Sequence, residues 1–214
     1  MNLKDLLRER TPIAILGQYL DGIGSLTREA QVNALSGPEQ ALLFEMAGDA
    51  PPLSLDHFVP PHLAPLTPVH HAGRNTVPVP EYFQYFQKRF ARSATPLVEG
   101  ERERVFGYNA SNAFFITPGY FVAYSTESHE REVWRERGSV VVDYFEVPPK
   151  GTEVPAAWPA VVPNDVGLQK LVYHRTRDFM RRVSMHVSIG RASREDEKGD
   201  VDMDFWFTLV RRDA

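Results

Sequence analysis

Proline placement constrains this chain more than any other feature. Of its 17 prolines, eight fall within residues 49–80 (Pro51, Pro52, Pro60, Pro61, Pro65, Pro68, Pro78 and Pro80), and five more within 148–163. Proline lacks an amide hydrogen and has a fixed φ, so so dense a run cannot continue as a helix or as a central strand. Leu53, Leu55, Phe58, Val59, Leu63, Leu66 and Val69 are interleaved with the first group. That span therefore reads as an ordered strap laid across its neighbour. The chain divides into an N-terminal helical region (1–48), a proline-rich strap (49–80) and a main domain (81–214).

Within 1–48, three short amphipathic helices are expected. Leu3, Leu6 and Leu7 begin one apolar stripe, and Ile13, Leu16 and Leu20 continue at helical spacing. Thr11 and Ser36 precede Pro12 and Pro38, an arrangement typical of a capped first turn. In the main domain, Glu81 to Arg92 reads as a helix with Tyr82, Phe83, Phe86 and Phe90 on one side. Ala113–Ile116, Tyr120–Ser125, Ser139–Val147, Met185–Ile189 and Met203–Val210 read as strands, by β-branched and aromatic content. Thr117-Pro118-Gly119 reads as a turn between the first two, and Arg191 to Asp200 as a polar hairpin loop. Asn164 and Asp165 can cap a long helix ending near Arg182, with Leu168, Leu171, Val172, Phe179 and Val183 in phase. The expected fold class is α+β: an antiparallel sheet of about five strands covered by a long helix, preceded by the small helical region.

Composition narrows the chemistry. A formal net charge of −4 and a pI near 6.0 argue against general nucleic-acid binding. The absence of cysteine excludes disulfides, thiol catalysis and thiolate metal sites. The first ten residues are charged where a secretion signal would be apolar, and no run is long enough to span a membrane as a helix. A cytoplasmic location is the expectation. There is no dinucleotide fingerprint, phosphate loop or nucleophile elbow, so no cofactor is expected.

Four groups of residues carry candidate chemistry. Lys170, His174, Arg177 and Arg181 would share one face of the long helix, where His174, Arg177 and Arg181 could meet an acidic ligand; a solvated outer face is the plainer reading. Asp143 interrupts a valine run, and His186 alternates with Met185 and Val187. If the two strands line one cavity, Asp143 and His186 would form an acid–base pair, whereas a solvated sheet face would leave them without a role. His57, His62, His70 and His71 cluster in the strap, but their spacing matches no common metal motif, so no metal site is assigned. Gly107 to Asn112 places Asn109 where it could hydrogen-bond a ligand, although asparagine and serine are also ordinary turn formers.

Three functional readings follow. The first is a binding protein for a small apolar or amphipathic ligand, with or without an acidic end. Its pocket would be walled by aromatics such as Phe115, Phe121, Tyr124, Phe145, Phe205 and Trp206. The second is a protein–protein interaction or self-assembly module built on residues 1–80. The third is a cofactor-independent enzyme using Asp143 and His186.

Overall fold

In the computed structural model, which describes residues 2–97, 99–111, 118–127, 129–197 and 199–212, the sheet closes on itself. Eight antiparallel strands run in sequence order: β1 (Val69–Asn75), β2 (Tyr85–Ala91), β3 (Arg104–Ser111), β4 (Gly119–Ser125), β5 (Val140–Asp143), β6 (Thr176–Arg182), β7 (Val187–Asp196) and β8 (Gly199–Arg211). Each pairs with the next, and β8 returns to pair with β1. The α+β expectation is therefore overturned: the fold is a closed barrel without free sheet edges.

The helices are short. Four of them, α1 (Leu3–Arg8), α2 (Ile13–Gly22), α3 (Ser25–Asn33) and α4 (Gly37–Met46), make up the N-terminal region where three were expected. Pro12, not Thr11, caps α2 and makes no side-chain cap bond, whereas at α4 the Glu39 carboxylate accepts from the Ser36 N–H at 2.8 Å. The remainder are single turns: α5 (Leu55–Phe58), α6 (Glu81–Gln84), α7 (Val133–Arg137) and α8 (Lys170–Tyr173). Among the described residues no helix is long and apolar enough to cross a membrane.

Both expected long helices dissolve into strands. The 81–92 helix stops after α6 and becomes β2. The 165–182 helix is reduced to α8, after which Arg175 takes a φ of 58° and turns the chain into β6. The 191–200 loop is instead strand for most of its length, in the long β7–β8 hairpin. Ser139–Val147 is strand only over Val140–Asp143, and Met185–Ile189 begins at Val187. Tyr120–Ser125 lies within β4. The Ala113–Ile116 strand, Phe115 and Thr117 of the expected turn lie outside the described residues.

Strand alternation sorts the apolar residues into three layers. The barrel interior holds Phe86, Phe90, Phe121, Val142, Met180 and Phe207. Outside, the helical layer packs Leu16, Leu20, Leu43 and Phe44 onto Val187, Ile189 and Val210 of β7 and β8. On the opposite outer wall, Trp134 of α7 and Trp158 of the second proline loop cover Phe106, Tyr120, Val122 and Phe179. One barrel end is plugged by the strap: Phe58 of α5 stacks on Phe90 at 4.7 Å between centroids, with Leu53, Leu55 and Val59 beside it.

Inward-facing glycines make room for the rings. Phe86 lies across Gly73, its register partner on β1; Phe121 lies across Gly107; Phe207 lies across Gly190. A Cβ added at Gly190 would sit 2.3 Å from the Phe207 ring and 2.6 Å from the Met180 sulfur. The glycine gives up side-chain packing so that a neighbouring aromatic can lie flat along the wall. Gly190→Ala is expected to cost about 1–3 kcal/mol through overpacking, read as a lower denaturant midpoint. Adding Phe207→Leu should recover part of that loss, and strictly additive effects would show that the ring is not the obstacle.

Candidate functional site

Eight-stranded barrels have interiors just wide enough to be filled by side chains or to hold one small ligand. Here the interior is filled at the α5 end and hollow at the other. A cavity of about 380 Å³ opens between β1, β2, β3, β6, β7, β8 and α8. Phe86, Tyr144, Tyr173, Phe205 and Phe207 wall it, together with Ala192, Asn109, Lys88 and Asp178.

Lys88 and Asp178 are the unusual members. Both are inward-facing strand residues, with side chains only 3% and 9% exposed. The Lys88 ammonium donates to the Asp178 carboxylate at 2.9 Å and also contacts the Tyr144 hydroxyl. Four rings surround the nitrogen, with centroids 4.9 Å (Tyr144), 5.0 Å (Phe207), 5.3 Å (Phe121) and 5.6 Å (Phe86) away. Removal from water pushes the lysine pKa down and the aspartate pKa up, each partly offset by the other's charge. Burial likewise holds Tyr144 well above the ordinary phenol range.

Polar groups nearer the mouth complete the wall. The Asn109 amide donates to the Tyr173 hydroxyl at 3.0 Å, while its Oδ1 is buried without a hydrogen-bond partner. Burial raises Tyr173 to about 12. Tyr173 stacks on Tyr144 at 5.0 Å, and Gly119 leaves the space its ring occupies. At the rim, the Arg194 guanidinium donates to the carbonyls of Leu171 (3.3 Å) and Val172 (3.5 Å). Among the described residues no carboxylate pairs with Arg194.

The residues singled out in the sequence scatter. Asn109 lies on β3 and lines the cavity, though it sits in a strand and not a turn. Arg177 and Asp143 are register partners on the outer wall, not on a helix face. Arg177 donates to Asp143 at 2.9 Å and to Asp200 at 2.7 Å, and stacks on Phe145 at 3.9 Å. Burial disfavours its charge, but the two carboxylates prevail and hold its pKa above the usual value. Tyr124 faces the same way and donates to Asp143 at 2.9 Å. Arg181 donates to the carbonyls of Phe44 (2.9 Å), Glu136 (2.6 Å) and Arg137 (3.0 Å), joining α4 and α7 to the barrel. His174 follows α8 without lining the cavity. Of the aromatics proposed for the pocket, Phe205 and Trp206 line it, Phe121 packs beneath it, and Tyr124 and Phe145 face outward.

Asp143 and His186 are not brought together. Asp143 lies opposite Arg177, whereas His186 lies beyond the pair formed by Arg182 and Ser188, five residues further along β6. That separation is roughly 17 Å along the strand. The acid–base pair expected from the sequence is not assembled. His186 instead sits near Arg211, with 3.4 Å between Nδ1 and the guanidinium.

Two of the four strap histidines do converge, at the plugged end. His57 and His71 are buried with ring centroids 6.1 Å apart, and His71 Nε2 donates to the Phe58 carbonyl at 3.0 Å. Among the described residues no group of three or more histidines or carboxylates is placed to hold a metal.

No family model matches the chain, no curated protein matches its sequence, and no solved structure matches its fold. The functional reading therefore rests on geometry.

Two outcomes follow from these clusters. Desolvation lowers His57 well below the ordinary imidazole value and His71 to about 3. Unfolding frees both to bind protons at their ordinary pKa, so folding stability is complete above about pH 6.5 and falls towards pH 3. Each histidine contributes a slope of up to about 1.4 kcal/mol per pH unit, opposed near the acidic limit by Asp178. Urea midpoints measured from pH 7 to 4 check this, and His71→Gln should remove its share of the slope. Separately, Asp143→Asn leaves the outward Arg177 partly unpaired and should destabilise by about 3 kcal/mol without altering ligand affinity. A loss of affinity with stability unchanged would return Asp143 to the candidate site.

Proposed function

We propose that the protein binds a small, aromatic or conjugated, amphipathic molecule in the open end of its barrel. The observation that carries this reading is the Lys88–Asp178 pair set in an aromatic cavity wall. Burying two charges costs more than packing hydrophobic residues of equal volume, so such a pair is a weak device for stability. Strongly perturbed ionisable groups in a cleft are instead a mark of functional sites. The remaining features fit: apolar walls, few polar anchors and one open face are the ordinary make-up of a small-molecule site.

The ligand's flat body packs against Phe86, Tyr144, Tyr173 and Phe207. Its polar end has two partners, the unsatisfied Oδ1 of Asn109 for a donor and Arg194 for an acid. The acidic end anticipated for Arg177 or Arg181 is assigned to Arg194, because the other two point away from the cavity and are already engaged.

Trans-cinnamate, a flat aromatic carboxylate, is a suitable probe by titration calorimetry. Ala192→Phe places a ring in the cavity and should weaken cinnamate binding at least ten-fold with the urea midpoint little changed. Arg194→Gln removes a charge-assisted contact and should weaken cinnamate by about ten-fold, but the corresponding alcohol much less. Equal affinity in the wild type and the Ala192→Phe variant would place the probe elsewhere and overturn the reading.

A further inference from the structure

The Lys88 amine is placed on the cavity wall and held against a proton acceptor and a hydroxyl. From this arrangement we infer that the ligand class includes aldehydes, and that Lys88 captures them as an imine. The inference rests on the cavity reading above and adds a covalent step to it.

A lysine attacks a carbonyl only as the free amine, so it needs somewhere to leave a proton. Here the Asp178 carboxylate lies 2.9 Å from the nitrogen. Transfer of one proton between them replaces two buried charges with two neutral groups, and no proton has to reach bulk water. Desolvation favours that exchange at both partners. A surface lysine has no such option and stays protonated at neutral pH.

The neutral Lys88 nitrogen attacks the aldehyde carbon and a C–N bond forms. Tyr144, in contact with Nζ, gives its hydroxyl proton to the carbonyl oxygen and takes one from the nitrogen, leaving a carbinolamine. The Asp178 carboxylic acid then protonates the new hydroxyl, the C–O bond breaks and water departs. The product is a protonated imine facing the Asp178 carboxylate, so the original ion pair is restored with the iminium in place of the ammonium. Phe86, Phe121 and Phe207 enclose the cation as they enclosed the ammonium. A conjugated aldehyde fits best, because the surrounding rings face its flat body. No oxidant, reductant or metal is consumed.

The test uses the full chain with cinnamaldehyde, and with cinnamyl alcohol as a match that lacks the electrophilic carbon. Sodium cyanoborohydride fixes any imine at pH 6.5, and peptide mass mapping reads which of the five lysines is modified. Lys88 is expected to carry at least ten-fold more adduct than any other lysine. Tyr144→Phe should slow its modification on the order of 100-fold, the usual worth of a positioned proton donor. In Lys88→Met/Asp178→Leu, which removes both charges together, the selective adduct should vanish while the urea midpoint stays at or above that of the wild type, showing that the loss is not one of folding. Alcohol binding without selective labelling of Lys88 would overturn the imine and leave the cavity reading standing. Failure of both compounds would overturn the two together.

Discussion

The barrel depends on rings that lie flat. An eight-stranded barrel has little interior space, and a phenylalanine projecting straight inward from each strand would overfill it. At Gly73, Gly107 and Gly190 the opposing residue in register is an aromatic whose ring occupies the place of the missing side chain. A fourth ring, that of Tyr173, leans in from the last residue of α8 onto Gly119. The wall thus becomes smooth and aromatic while the hollow at the α8 end survives. Three of the four rings around Lys88 follow from the same device, since Phe86, Phe121 and Phe207 are all laid over glycine.

Two charge clusters lie on β6 with opposite roles. Arg177 faces outward and ties β5 and β8 together through Asp143 and Asp200, with Trp134 and Phe145 against its guanidinium. It is saturated with carboxylates and holds structure. One residue on, Asp178 faces inward, has a single cation for company and borders open space. Alternation along a single strand therefore separates a structural clamp from a buried charge pair on the cavity wall.

The helical face of the N-terminal region was legible because Leu3, Leu6, Leu7, Leu16 and Leu20 repeat at helical spacing and all pack inward. The barrel was not, and the reasons lie in particular residues. Phe86 and Phe90 are four apart, which fits a helical turn as well as two strand repeats; inward Lys88 between them looks like the polar side of a helix. In β6, inward Asp178 and outward Phe179 reverse the usual pattern, because both faces of that strand are covered. On β1 the only apolar side chain among the inward positions beyond glycine is that of Val69 at its start; His71, Gly73 and Asn75, which follow it, do not signal a buried strand. The same glycines and charges that build the cavity therefore hid the strands that carry it. Asn109, singled out for its amide alone, lines the cavity. The one sequence signal at Lys88 is a lone lysine standing between two phenylalanines.

The placement of the helical layer has a consequence for how the chain reaches this state. The apolar faces of α1–α4 rest on β7 and β8, and the barrel closes only when β8 meets β1, Gly73 beside Leu209. Both events join the first third of the chain to its last strand. Contacts so distant in sequence carry a large loop-closure cost and form slowly. On a ribosome, the leucines of α1–α4 would emerge early and wait, uncovered, for a surface made last. This protein is thus expected to rely on chaperone shelter during synthesis more than its size alone would suggest.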